Sequence, residues 1–200
     1  EMVPKASPEN RAKIQALLEM DKIERSKESF LYFVTQMWPI FISGSHHKIM
    51  SDAFERVANG ELKRLIINMP PRHTKSDFAS YLLPSWFLGK YPAKKVIQTS
   101  HTAELAVGFG RKVRNLVGSE QYKTVFPDVN LRQDSKAAGR WATNKNGEYF
   151  AIGVGGTVTG KGADLLIIDD PHSEQEAADV RPPGHAAAFR GGRLQGRSAV

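Results

Sequence analysis

The sequence predicts an α/β fold, a sandwich with a mostly parallel central sheet covered by helices and preceded by a helical N-terminal extension. Three observations carry this. Apolar runs of strand length recur at Lys63–Met69, Lys94–Ser100 and Leu165–Ile168, with helical stretches between them. The runs are nearly continuous rather than alternating, the mark of strands buried on both faces and joined by helical crossovers. The residues before Lys63 show helical periodicity only.

The N-terminal segment reads as three helices. Ser7-Pro8-Glu9 supplies an N-cap, a first-turn proline and an acid, and Ile14, Leu17 and Leu18 fall on one face of the helix that follows. Ser26 is the expected start of a second helix carrying Phe30, Phe33, Val34 and Met37, stopped by Pro39. A third runs through Ile49, Met50, Ala53, Phe54 and Val57 and closes at Asn59-Gly60.

Beyond it the elements alternate. Lys63–Met69 reads as a buried strand, and Lys75–Leu83 as a helix interrupted at Pro84. Lys94–Ser100 is a second strand, followed by a helix over Glu104–Val117 with Leu105, Phe109, Val113 and Leu116 inward. Arg140–Thr143 and Glu148–Val154 flank Asn144-Lys145-Asn146-Gly147, a hairpin signature. From Arg181 onward Pro, Gly, Ala and Arg dominate and no apolar period survives. The expected organisation is a helical segment over 1–60, an α/β core over 61–180 and a linker-like or disordered tail over 181–200.

Composition bounds the partners. With 200 residues, 40% hydrophobic and 24% charged, the chain suffices for one globular core. A net charge of +7 favours a polyanionic partner such as nucleic acid, with solubility as the plain alternative. The chain has no cysteine, which excludes disulfides and thiolate metal sites and fits an intracellular protein. No apolar run is long enough to span a bilayer and the N-terminus lacks the signal-peptide pattern, so no membrane association is expected.

The first chemical motif is Met69-Pro70-Pro71-Arg72-His73-Thr74-Lys75-Ser76, a polar loop between an apolar run and a helix. That is the layout of a phosphate-binding P-loop: backbone amides and a helix N-terminus face the phosphates, a lysine adds a point charge, and a hydroxyl ligates Mg²⁺. Lys75 and Ser76 match the last two parts. Both glycines of the usual pattern are replaced, by Met69 and Thr74. Read alone, the loop fits either a phosphate cradle, with Arg72 as a second cation, or a basic turn with a solvated lysine.

The second motif is Leu165-Leu166-Ile167-Ile168-Asp169-Asp170, an apolar strand delivering two carboxylates at its C-terminal end, where open α/β sheets bind ligands. This is a Walker B arrangement: Asp169 for Mg²⁺ and Asp170 to orient and deprotonate the attacking water. The pairing of two motifs favours an ATP-hydrolysing site.

Other candidates carry less. The glycine-rich stretch Gly153–Gly162, with Lys161, suits close backbone approach to a phosphate or a flexible connection. Gln98-Thr99-Ser100-His101 ends at the same sheet edge and fits either a nucleotide sensor or a DNA contact, or, as the preferred reading for its hydroxyls, a helix cap at Ser100 or Thr102. His46-His47 has no partners at metal-ligand spacing; His47 is assigned to the start of its helix, beside the nucleotide base. Arg111, Lys112 and Arg114 share a helix, either as a solvated face or as a DNA-facing patch.

Three segments in order, LIINMPPRHTKS, VIQTSHTAELAVGFGRKVRNLV and GVGGTVTGKGADLLIIDDP, resemble the large subunit of tailed-phage terminases over about Phe30 to Asp179. The family comprises ATP-driven motors that package viral DNA into a capsid. The resemblance implies a P-loop NTPase core of the ASCE type, a three-layer sandwich binding ATP and Mg²⁺. It accounts for the loop, since terminases commonly carry a PPR-x-x-KS-like Walker A.

By that likeness Pro70, Pro71, Arg72, His73, Thr74, Lys75 and Ser76 form the nucleotide loop, with His47 beside it. Ser76 and Asp169 hold the metal, and Asp170, Arg72 and Lys75 are catalytic. The implied partners are double-stranded DNA, a portal protein, a small terminase subunit and further copies in a ring, in the host cell cytoplasm. Arg114 and Arg140 are candidates for an arginine acting on a neighbouring subunit. Two departures stand out: Asp170 replaces the family's usual glutamate, and nothing here resembles the family's RNase H-like nuclease. The rival readings are a helicase-like P-loop translocase and a DNA-binding or assembly module with a vestigial nucleotide site.

Overall fold

The computed structural model describes residues 7–157, 160 and 162–172. Lys161 and the tail from Arg181, both singled out above, lie outside the described residues. The chain divides between Leu62 and Lys63 into two compact units.

The N-terminal unit holds α1 (Pro8–Glu28), α2 (Phe30–Met37) and α3 (Ser45–Ala58). Ser7 caps α1 through its hydroxyl, with Pro8 in the first turn as expected. The second helix starts later than expected. Ser26 stays within α1, buried and bonded by Oγ to the Lys22 carbonyl, and the break falls at Ser29. The reason is long-range: Glu55 of α3 accepts from both the Ser29 hydroxyl and the Phe30 N–H, supplying the cap of α2 from another helix. Phe30 packs edge-on against Phe54, so α2 and α3 share a core of Phe30, Phe33, Val34, Met50 and Phe54. Ile14, Leu17 and Leu18 share a face of α1 that is more than half exposed.

α3 closes at Asn59 with Gly60 at φ 80°. At its start the Gly44 N–H donates to Nδ1 of His47, 2.8 Å away. Burial and the neighbouring His46 hold the His47 imidazole below its ordinary pKa. The unfolded chain therefore takes up this proton first as pH falls. The bond is fully present above the ordinary histidine pKa, about 6.5, and is lost on acidification towards the depressed folded value. Thermal melting should fall more steeply between pH 7.5 and 5 in wild type than in His47→Gln, which keeps an acceptor at this cap but cannot titrate.

The second unit is a mixed α/β structure. Its five-stranded sheet has the order β2 (Leu131–Ala137), β3 (Arg140–Thr143), β4 (Glu148–Gly153), β1 (Lys95–Ser100), β5 (Leu165–Asp169). β4, β1 and β5 are mutually parallel, while β2 and β3 are antiparallel additions. The sheet is therefore mixed rather than mostly parallel. The hairpin between β3 and β4 falls where predicted, with Asn146 at φ 66° in its turn. β2 carries charged and polar residues that gave no apolar signal.

Helix α5 (Ala103–Val117) lies against β4 and β1. Its inward residues are Ala106, Gly110, Val113, Leu116 and Val117; Leu105, expected inward, is 54% exposed. Gly110 is required by close approach, because a Cβ there would lie 2.5 Å from the Ala138 carbonyl oxygen. The Gly110 carbonyl in turn accepts from the Trp141 indole at 3.2 Å. α6 (Glu120–Val125) follows α5, and its Tyr122 hydroxyl donates to the Ser85 carbonyl at 2.9 Å.

Two expectations fail around the loop. Lys63–Met69 is not a strand, for it joins no ladder among the described residues. It is irregular, with Leu65, Ile67 and Met69 half-buried and Ile66 85% exposed. An apolar run specifies a strand only when a neighbouring strand satisfies its backbone groups. Nor does Pro84 interrupt the next helix. Helix runs through Lys75 and Ser76 into a π-helical segment, Asp77–Leu82, and on into α4, Leu83–Lys90. The Leu83 N–H bonds five residues back to Phe78, so the chain enters Pro84, which has no N–H, already out of α register.

Candidate functional site

Two segments converge at the C-terminal end of β5. The helical turn that begins at Lys75 brings Ser76 to 3.2 Å from Oδ1 of Asp169. Ser80, buried, donates to the other oxygen, Oδ2, at 2.9 Å. Lys75 Nζ lies 2.7 Å from Asp170 and 4.0 Å from Oδ1 of Asp169. Residues 89 to 95 apart in sequence thus form one cluster of a cation, hydroxyls and carboxylates.

The two acids differ in surroundings. Asp169 is buried at 7% exposure, one oxygen held by Ser80 and the other turned toward Ser76 and Lys75. The Asp170 side chain is 70% exposed and stands just past the strand at φ 42°, an uncommon conformation for a non-glycine residue. Its carbonyl accepts from the His101 N–H. Among exposed ion pairs such as Lys75–Asp170, the typical stabilisation is about 0–1 kcal/mol. A more highly charged anion can displace that contact.

At Thr74 the loop adopts the backbone that its missing glycine would have allowed. Arg72 and Thr74 have φ 65° and 60°. Left-handed residues alternating with right-handed ones turn backbone amides into an anion-binding concavity. Met69, at the other missing glycine, is not among the positive-φ residues. His73 Nδ1 lies 2.9 Å from the Pro71 carbonyl oxygen, and the Thr74 hydroxyl donates to the His73 carbonyl at 2.6 Å, so these side chains brace the loop. The Arg72 side chain is exposed, and Pro70 and Pro71 are exposed with it.

Threonine at φ 60° is strained because its branched Cβ crowds the backbone, a penalty of about 1–2 kcal/mol that glycine escapes. Thr74→Gly should leave the second unit as stable or up to about 1 kcal/mol more stable, after allowing for glycine's greater unfolded-state entropy. Thr74→Val, equally branched but without the brace to His73, should be less stable than wild type. Chemical denaturation of the three proteins checks the order.

The other predicted residues are placed as follows. Thr102, not Ser100, caps α5, accepting from the Leu105 N–H. Arg111 and Lys112 are exposed on α5, and Arg114 is half-buried against Asn115. Arg140 is exposed at the start of β3. His47 sits in the N-terminal unit, where it serves its helix start. Sequence reading missed Ser80. Its signal was the spacing Ser76-x-x-x-Ser80, which returns a helical side chain to the same face.

The donor set suits a magnesium ion shared with phosphates. Ser76 Oγ and Asp169 Oδ1 are 3.2 Å apart, close to the roughly 3 Å edge of an oxygen octahedron with about 2.1 Å ligand distances. No group of three or more His, Cys, Asp or Glu among the described residues is placed to cage a metal alone. Mg²⁺ ordinarily binds through one or two protein oxygens, with phosphates and water completing the shell.

Fold and site together define a mixed α/β protein in which a lysine–serine helix start meets paired carboxylates at the end of a parallel strand. Comparison with protein families, with curated proteins and with solved structures gave no match. No helix of the described residues is long and apolar enough to cross a membrane.

Proposed function

We propose that this chain is the ATP-hydrolysing motor domain of a viral DNA-packaging terminase, built on an ASCE-type P-loop core and moving double-stranded DNA. One observation carries the reading: Lys75 and Ser76 reach Asp170 and Asp169 across the fold, at 2.7 and 3.2 Å. A basic turn with a solvated lysine would not require either contact.

In this reading the loop over Pro70–Ser76 surrounds the phosphates, with Arg72 and Lys75 as its cations. Ser76 and Asp169 would hold Mg²⁺, which would supply charge neutralisation at the phosphates. Lys75 exchanges Asp170 for phosphate as the nucleotide enters, because the triphosphate outweighs an exposed carboxylate. Asp170, so released, orients the attacking water and takes its proton. Holding the reactants in line and neutralising charge are the main demands of phosphoryl transfer.

The net charge of +7 supports a DNA partner, and exposed Arg111 and Lys112 are available for phosphate contacts. Such binding weakens as salt rises. A ring of copies, a portal, a small subunit and the host cytoplasm as location follow from the terminase reading alone. The decisive experiment is Mg²⁺-dependent ATP turnover by wild type against Lys75→Ala, with and without double-stranded DNA. Turnover by wild type at the Lys75→Ala background would favour a DNA-binding module with a vestigial site.

A further inference from the structure

β1 ends at Ser100, the ladder partner of Asp169. Side chains alternate between sheet faces along each strand, and register partners share a face. Ser100 therefore lies on the face where Ser76 and Ser80 hold the Asp169 carboxylate. It is 3% exposed, and its hydroxyl has no hydrogen-bond partner among the described residues. Native proteins keep few such groups, because a buried hydroxyl left unpaired is destabilising.

The ordinary uses of this hydroxyl are taken. Thr102 caps the following helix at 3.2 Å from the Leu105 N–H. The two oxygens of Asp169 already accept from Ser76 and Ser80. What remains is a buried, unpaired hydroxyl beside the oxygen pair suited to Mg²⁺, at the strand ends where α/β sheets bind ligands.

We propose that Ser100 belongs to the metal–nucleotide site, a role that rests on the nucleotide reading above. Its hydroxyl bonds an oxygen of the bound Mg²⁺–nucleotide, either a metal-held water or a phosphate oxygen, and gains its partner only when the site is filled. The folded protein thus carries an unpaired group whose pairing is reserved for the ligand. The competing explanation is local. Gln98, on the same face two residues back, accepts from the Tyr149 hydroxyl at 2.7 Å and has an unpaired buried amide nitrogen. In that case a water between Gln98 and Ser100 would serve both, with no link to the nucleotide.

Calorimetric titration with a non-hydrolysable ATP analogue, and melting without ligand, separate the two. Ser100→Ala should melt, ligand-free, at or above the wild-type temperature, and bind the analogue with Mg²⁺ about tenfold more weakly. Ser100→Thr, which keeps the hydroxyl, should bind within about threefold of wild type. Repeating the titration in EDTA identifies the partner: loss of the Ser100→Ala penalty points to a metal-held water, and its persistence to a phosphate oxygen. If wild type and Ser100→Ala bind Mg²⁺–analogue equally, the role of Ser100 is overturned while the nucleotide site stands. A lower ligand-free melting temperature with unchanged affinity is the result expected of the Gln98 water. If wild type itself does not bind, the nucleotide reading fails and this role with it.

Discussion

Replacing Lys75 by alanine is expected to lower Mg²⁺-dependent ATP turnover at least about a hundredfold, the scale for removing one charge-stabilising donor from a phosphoryl- or acyl-transfer site. The expectation comes from position. Lys75 opens the helix after the loop, and its ammonium is the cation nearest both strand-end carboxylates, 2.7 Å from Asp170 and 4.0 Å from Asp169. Its side chain is 26% exposed. Stability should hardly change, since its partner Asp170 is 70% exposed and such pairs contribute about 0–1 kcal/mol. Steady-state turnover and thermal melting together check this. A Lys75→Ala protein that keeps wild-type kcat would remove Lys75 from the chemistry, and one that unfolds would make the loss of turnover a stability effect. Asp170→Asn then asks whether the shorter carboxylate, standing where the terminase pattern has glutamate, does the work of a base.

The largest stability effect is expected at Trp141, far from that chemistry. Its ring is fully buried and stacks on Tyr149 with centroids 5.0 Å apart and planes 7° from parallel. Its indole N–H holds the Gly110 carbonyl, tying α5 to the sheet where Gly110 packs closely against it. Truncating a buried tryptophan costs about 3–5 kcal/mol in lost burial and cavity, against a whole-domain stability of about 5–15 kcal/mol. Trp141→Ala should therefore lower the urea midpoint severely. Trp141→Phe, which keeps an aromatic face toward Tyr149 but loses the hydrogen bond, should cost roughly half as much. Equal midpoints for wild type and Trp141→Ala would mean that β3 contributes little to the cooperative unit. Because two strands, β4 and β1, separate β3 from β5, nucleotide affinity per folded molecule should be unchanged in Trp141→Phe.

Much of this structure was legible because its signals are local. Ser7-Pro8, Thr102, Asn59-Gly60 and the Asn144–Gly147 turn each set a helix or strand end through nearby backbone groups. The Lys75-Ser76 and Asp169-Asp170 pairs were legible for a related reason: each combines rare chemistry with a strand or helix terminus. What misled was periodicity without a partner. Leu65, Ile66 and Ile67 have the composition of a strand, but a strand exists only when another chain segment takes its hydrogen bonds. Leu166 and Ile168 likewise read as fully buried, yet they are 38% and 47% exposed, β5 being an edge of the sheet among the described residues.

By itself, then, the sequence determined the helix caps, the hairpin, the parallel strands β1 and β5 and the identity of the groups that meet at the site. Each depends on residues within a few positions of one another or on a residue type with one chemical use. The tertiary structure alone decided that Ser29, not Ser26, begins α2, because its capping acceptor is Glu55. It also decided that Thr74 takes a glycine's backbone, that Ser80 holds Asp169, and that Ser100 is buried without a partner among the described residues. Apart from the Thr74 backbone, those are contacts, or missing contacts, between segments tens of residues apart, and no local pattern encodes them.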